Sequence, residues 1–136
     1  MIKKLVGFLT VLCMAFFIAG CSSTPDVSGT YLRLNKDNQP TSTIVLKKVS
    51  DNSYDLSFSI INWRTGKMEK VESKRMTLNT EKKTLEENPT IPQNLFFNEN
   101  YSSITRVSSS ISGANTENVY KKLSDSEIKQ YQHLFE

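Results

Sequence analysis

The sequence predicts an all-β domain: an antiparallel meander of seven or eight short strands that closes into a barrel or a strongly bent sheet, with one C-terminal amphipathic helix. Three observations carry this expectation. Tyr54, Leu56, Phe58 and Ile60 alternate with Asp55, Ser57 and Ser59, the period of a sheet with one buried face. Turn-forming clusters recur about every eight to twelve residues, the spacing of sandwiches and barrels. The apolar period then lengthens after Ser124, beyond the last predicted strand.

The first strand, 29–34, ends at the turn-forming stretch Asn35-Lys36-Asp37-Asn38-Gln39-Pro40. The second, 41–49, is β-branched and apolar at its centre and closes at Ser50-Asp51-Asn52-Ser53. Residues 54–62 form the clearest strand, because a helix would repeat its apolar residues every three or four positions. Gly66 supplies the positive φ of a hairpin turn into 68–78, a heavily charged run that reads as partly an edge or a solvated strand. A short run at 83–87 follows, and then Pro89 and Pro92 withdraw backbone donors and break the regularity. Runs at 95–98, 101–111 and 118–123 complete the strands, the last two joined through Gly113-Ala114-Asn115.

At the C-terminus, Ser124-Asp125-Ser126-Glu127 fits a capping box, with Leu123 and Ile128 at the staple positions around it. Ile128, Tyr131 and Phe135 continue at i, i+3 and i+7, a stripe expected to pack on the sheet. A helix this short is marginal alone and takes its stability from that contact.

The N-terminus is different in kind. Lys3 and Lys4 precede an apolar to weakly polar run from Leu5 to Ala19, and Ala19-Gly20 places small residues before Cys21. The run has 15 residues, short of the roughly 20 a spanning helix needs, and it stops at a Ser/Thr stretch. Ile18-Ala19-Gly20-Cys21 has the form of a lipobox, and residues 1–21 resemble the export segment of bacterial lipoproteins. That resemblance implies cleavage before Cys21, a diacylglycerol on its thiol and acylation of its amine. Two or more chains, at about 0.8 kcal/mol per buried methylene, anchor durably. Ser22 and Ser23 are not the aspartate that retains such proteins at the inner membrane, so the resemblance implies the periplasmic face of the outer membrane. A cell-surface position on a single membrane is the alternative.

The expected organisation is therefore a cleaved signal peptide over 1–20, a lipidated tether over 21–28 and one β-rich domain over 29–136. Loss of Lys3 and Lys4 leaves 15 cationic against 14 acidic side chains, so the mature net charge is +1 rather than +3. A near-neutral surface with interleaved Lys and Glu offers no concentrated field for nucleic acid. Cys13 lies in the export segment and Cys21 is consumed by lipid, so the domain has no thiol for a disulfide, a nucleophile or a metal.

The remaining chemistry is sparse. His133 is the one histidine and is expected in solvent, which deprives zinc sites and Ser/His or Cys/His arrangements of constituents. Glu86 and Glu87 are adjacent on a strand and face opposite ways. Gly29, Gly66 and Gly113 are isolated and form no phosphate loop. Ser108, Ser109 and Ser110 lack a base and read as a strand face. No catalytic, cofactor-binding or metal-binding residue is assigned, and the chain is not expected to be an enzyme.

Binding has more support. Trp63 and Arg64 sit at the tip of the central hairpin with the composition of an interaction hot spot, although Trp63 is expected rather to cover a barrel end. The stretch Pro89 to Tyr101 carries Ile91, Leu95, Phe96, Phe97 and Tyr101, part of which is expected to plug the core. Trp63, Arg64, Phe96 and Phe97 are the candidate partner surface. The layout of Ser28-Gly29-Thr30-Tyr31, successive hairpins and Val119-Tyr120-Lys121-Lys122 before a helix resembles small lipocalin-like bacterial lipoproteins. A sandwich is the competing arrangement.

Three roles follow as expectations. The first is a membrane-anchored interaction or accessory protein acting on another envelope protein; the second is a carrier of a small apolar ligand in a lipocalin-like barrel. A hydrolase, or an inhibitor of one, is the third.

Overall fold

A computed structural model of the chain describes residues 24–87, 94–109, 113 and 115–135. The expected signal peptide, Cys21, and the loop residues Pro89, Ile91 and Pro92 lie outside these. Eight strands run in sequence: β1 (Gly29–Leu34), β2 (Pro40–Ser50), β3 (Ser53–Asn62), β4 (Lys67–Asn79), β5 (Thr84–Glu86), β6 (Leu95–Phe97), β7 (Ser103–Ser109) and β8 (Asn115–Lys122). Each pairs antiparallel with the next, and β8 returns to β1 through Tyr31↔Lys122 and Leu32↔Lys121. The meander is thus a closed barrel and not a sandwich.

Closure gives the molecule two ends. The chain enters at one, beside the loops after β2, β4 and β6; the β1–β2 and β3–β4 loops occupy the other. Asn52 at the entry end and Gly66 at the far end take the positive φ their turns require, at 61° and 72°.

Alternation sorts the strand residues. Tyr31, Ile44, Leu46, Tyr54, Leu56, Met76, Leu78, Leu85, Leu95, Phe97, Ile104 and Tyr120 project inward and form one buried cluster. The register Leu56↔Lys74 and Phe58↔Glu72 then puts Lys74 and Glu72 inward as well, so the apolar core fills the entry half and charge appears toward the far half. There Arg106 lies over the Phe58 ring, 4.6 Å from its centroid. Lys74 Nζ stands 3.2 Å from Glu72 and 3.4 Å from Glu87.

The expected tether over 21–28 is shorter than its composition suggested. Val27 is completely buried and belongs to the interior cluster. Its amide donates to the Tyr54 hydroxyl at 3.2 Å, and its carbonyl accepts from the Tyr31 hydroxyl at 2.7 Å. Tyr54 also donates to the Pro25 carbonyl at 3.3 Å. Residues 25–28 therefore belong to the domain and close its entry end.

The C-terminal stripe also differs from expectation. The capping box is present: the Ser124 hydroxyl accepts from the Glu127 amide, and the Glu127 carboxylate accepts from the Ser124 amide at 3.1 Å. The helix α1 (Asp125–Gln130), however, ends after six residues and passes into a 3-10 turn, Gln132–Leu134, that lies against β4. The tighter turn shifts the buried position: Leu134 is buried, while Ile128 and Phe135 are 39% and 46% exposed. Leu32, Thr43 and Ser59 point outward by alternation yet are buried. Leu123 and Leu134 are buried in this C-terminal strap, outside the interior cluster.

Candidate functional site

The sequence residues singled out for binding do not form one surface. Phe97 is 7% exposed and packs edge-on to Tyr31 and against Tyr101, with ring centroids 6.2 and 5.2 Å away. It is core, which removes it from the candidate surface. Phe96 points outward between Thr84 and Thr105 and is 39% exposed. It stands one residue before the end of β6, toward the entry end. Trp63 and Arg64 are at the far end. Trp63 is 78% exposed, so it does not cover the barrel there as the sequence suggested. Cys21 lies outside the described residues.

The β3–β4 hairpin is what holds Trp63 out. Its strands are 10 and 13 residues long, against three in β5 and β6, so among the described residues they run past that side of the wall. Within the described residues β4 pairs with β5 only at Thr77, Leu78 and Asn79. The rest of that edge alternates charges such as Lys70, Glu72 and Lys74, a pattern that resists unwanted strand addition. Val71 is the unpaired residue of a bulge, since Phe58 faces Glu72 and Ser59 faces Lys70.

The tip is preorganised by its own polar groups. Gly66 donates its amide to the Asn62 carbonyl at 2.7 Å, closing the four-residue loop. The Asn62 side chain accepts from the Arg64 amide at 2.9 Å and donates to Glu69 at 2.6 Å. Thr65 Oγ1 accepts the Lys67 amide at 3.3 Å. Asn62 thereby spends its side-chain polarity on holding the loop, while the indole of Trp63 projects into solvent. Ile60, Ile61, Trp63 and Val71 line a shallow concavity of about 370 Å³ together with Asn62, Arg64 and Glu69. Ile60 and Val71 are 44% and 61% exposed. From Trp63 to Lys70 the hairpin carries Arg64, Lys67 and Lys70 against Glu69, a local charge of +2.

Among the described residues the interior shows one small cavity. The one described cavity reaching it, lined by Ile44, Leu56, Phe58, Leu95, Glu72, Lys74, Asn94 and Arg106, has about 30 Å³, the space of a single water. Among the described residues no three His, Cys, Asp or Glu side chains meet as a metal site. Glu86 engages Asn79 and Thr84, whereas Glu87 engages Lys74. The neighbouring carboxylates therefore answer to different partners. His133 is exposed in the 3-10 turn.

Two features were not read from the sequence. Val27 looked like part of a polar tether, and its burial depends on tyrosine hydroxyls 4 and 27 residues away. Alternation places Ile60 on the inward face, yet it is 44% exposed at the far end. Compared with known proteins, the chain matches no family model, no curated protein and no solved structure.

Proposed function

We propose that the chain is a membrane-anchored lipoprotein of the bacterial envelope, lipidated on Cys21, that acts without catalysis by presenting its barrel to another envelope component. The outer membrane, periplasmic face, is the proposed address. The observation that carries this reading is the contrast between the packed apolar cluster of the described interior and an exposed, preorganised Trp63 hairpin at the end opposite the chain's entry. A lipid at the entry end leaves that hairpin free. A carrier of an apolar ligand needs a pocket of several hundred cubic ångströms, against about 30 Å³ in the cavity lined by described interior residues.

Fractionation of cells bearing Cys21→Ala tests the address: the variant should leave the mature membrane-bound pool. A variant still processed and wholly membrane-bound would contradict lipid anchoring. Photo-crosslinking from position 63 in intact cells tests the role, with an adduct to an envelope component expected. Recovery of the chain uncrosslinked, with a small apolar molecule copurifying in stoichiometric amount, would return the carrier.

A further inference from the structure

We propose that the Trp63 hairpin is a membrane-docking tip, whose partner is the anionic interface of a lipid bilayer. The inference rests on the lipoprotein reading above and names the component that the exposed hairpin meets.

Three observations support a bilayer over a folded partner. First, apolar groups cluster at the tip. Ile60, Ile61, Trp63 and Val71 line one concavity there, and Met68 pairs with Ile61 beside it. Second, the polar groups match an interfacial position. Trp63 carries an indole N–H on an apolar body, the residue type enriched at the headgroup level. Arg64, Lys67 and Lys70 follow it, and cations beside a bilayer are attracted by anionic lipid. Third, the tip needs no folding to insert, because Asn62 and Gly66 already fix its loop.

Anchoring makes even a weak contact effective. An extended tether from Cys21 to Thr24 spans at most about 14 Å, and β4, with 13 residues, is roughly 40 Å long. The tip is thus confined within several tens of ångströms of the bilayer that holds the lipid, a local concentration in the millimolar range. With lipid at one end and Trp63 at the other on the same surface, the barrel lies along the membrane instead of standing on it.

Trp63 is the single tryptophan of the chain, so its fluorescence reports on the tip alone. The protein purified from membranes is reconstituted into vesicles of phosphatidylcholine, with or without about a third phosphatidylglycerol, and with lipids brominated at headgroup-proximal positions. Quenching and a shift of emission to shorter wavelength are expected in the anionic vesicles, and each of Arg64→Gln, Lys67→Gln and Lys70→Gln should weaken the response about fivefold. Emission that stays at its aqueous position, unquenched, while the protein floats with the vesicles would overturn the docking tip and favour a protein partner. Failure to float would instead overturn the lipid anchor. The same vesicles added to that unanchored chain at millimolar lipid would still decide the tip by the same shift, its absence again overturning the proposal.

Discussion

The Tyr31 hydroxyl donates to the Val27 carbonyl at 2.7 Å, fastening the segment before β1 across the entry of the barrel that β1 begins. Tyr54 completes the clasp by accepting the Val27 amide. Both backbone polar groups of one buried residue are thus satisfied by side chains from two neighbouring parts of the wall.

Removing either hydroxyl orphans a buried backbone group. Tyr31→Phe leaves the Val27 carbonyl without its partner, at a cost of about 1–3 kcal/mol. For a domain of this size that lowers Tm by roughly 4 °C per kcal/mol. Tyr54→Phe strips the acceptor from the Val27 amide and should cost a similar amount. Because the two share one residue, the double variant should be less destabilised than the sum, which a double-mutant cycle by thermal melting measures.

The same clasp predicts an alkaline weakness. Burial, reinforced by Tyr54 and Asp26, pushes the Tyr31 phenol above its ordinary range. The folded chain then keeps a proton that the unfolded chain releases near pH 10, so stability falls as pH rises beyond that point. Denaturant melts between pH 9 and 11 should show a steeper loss for the native chain than for Tyr31→Phe. Equal slopes would mean that the phenol does not titrate with unfolding.

Phe97 and Trp63 should respond oppositely to truncation. Phe97→Ala removes a buried ring between Tyr31 and Tyr101 and costs about 3–5 kcal/mol. Trp63→Ala touches little and should stay within about 0.5 kcal/mol of the native stability. Urea midpoints compare the two directly.

The separation of those residues shows what the sequence could and could not tell. The strand path, the turns at Asn52 and Gly66 and the capping box follow from local rules, and each stands where its residues point. The same period-two rule, applied to Leu95, Phe96 and Phe97, already requires Phe96 to oppose both neighbours, so a surface holding Phe96 and Phe97 together was never available to a strand. The closure through Tyr31↔Lys122, the burial of Val27 and the exposure of Ile60 are different: each depends on contacts between distant segments or on how far one hairpin outruns its neighbours. Local patterning carries no record of those lengths.

The C-terminal strap offers a prediction in which cap and core separate. Leu134 is the strap's buried anchor, and Leu134→Ala should cost about 2 kcal/mol, the low end for such a change, because the site lies at the surface and can collapse. Ser124→Ala removes the N-cap and costs about 1 kcal/mol at neutral pH. The Ser124 amide, followed by its hydroxyl, holds the Glu127 carboxylate below its ordinary range. A depressed carboxylate stabilises the fold above its unfolded value and loses that contribution as pH falls through the folded one. Hydrogen exchange of the α1 amides should therefore accelerate below about pH 4 in the native chain, beyond the intrinsic trend. In Glu127→Gln the acid-specific acceleration should vanish. If Glu127→Gln instead tracks the native chain throughout, the reciprocal bond to Ser124 is not what fastens the start of the strap.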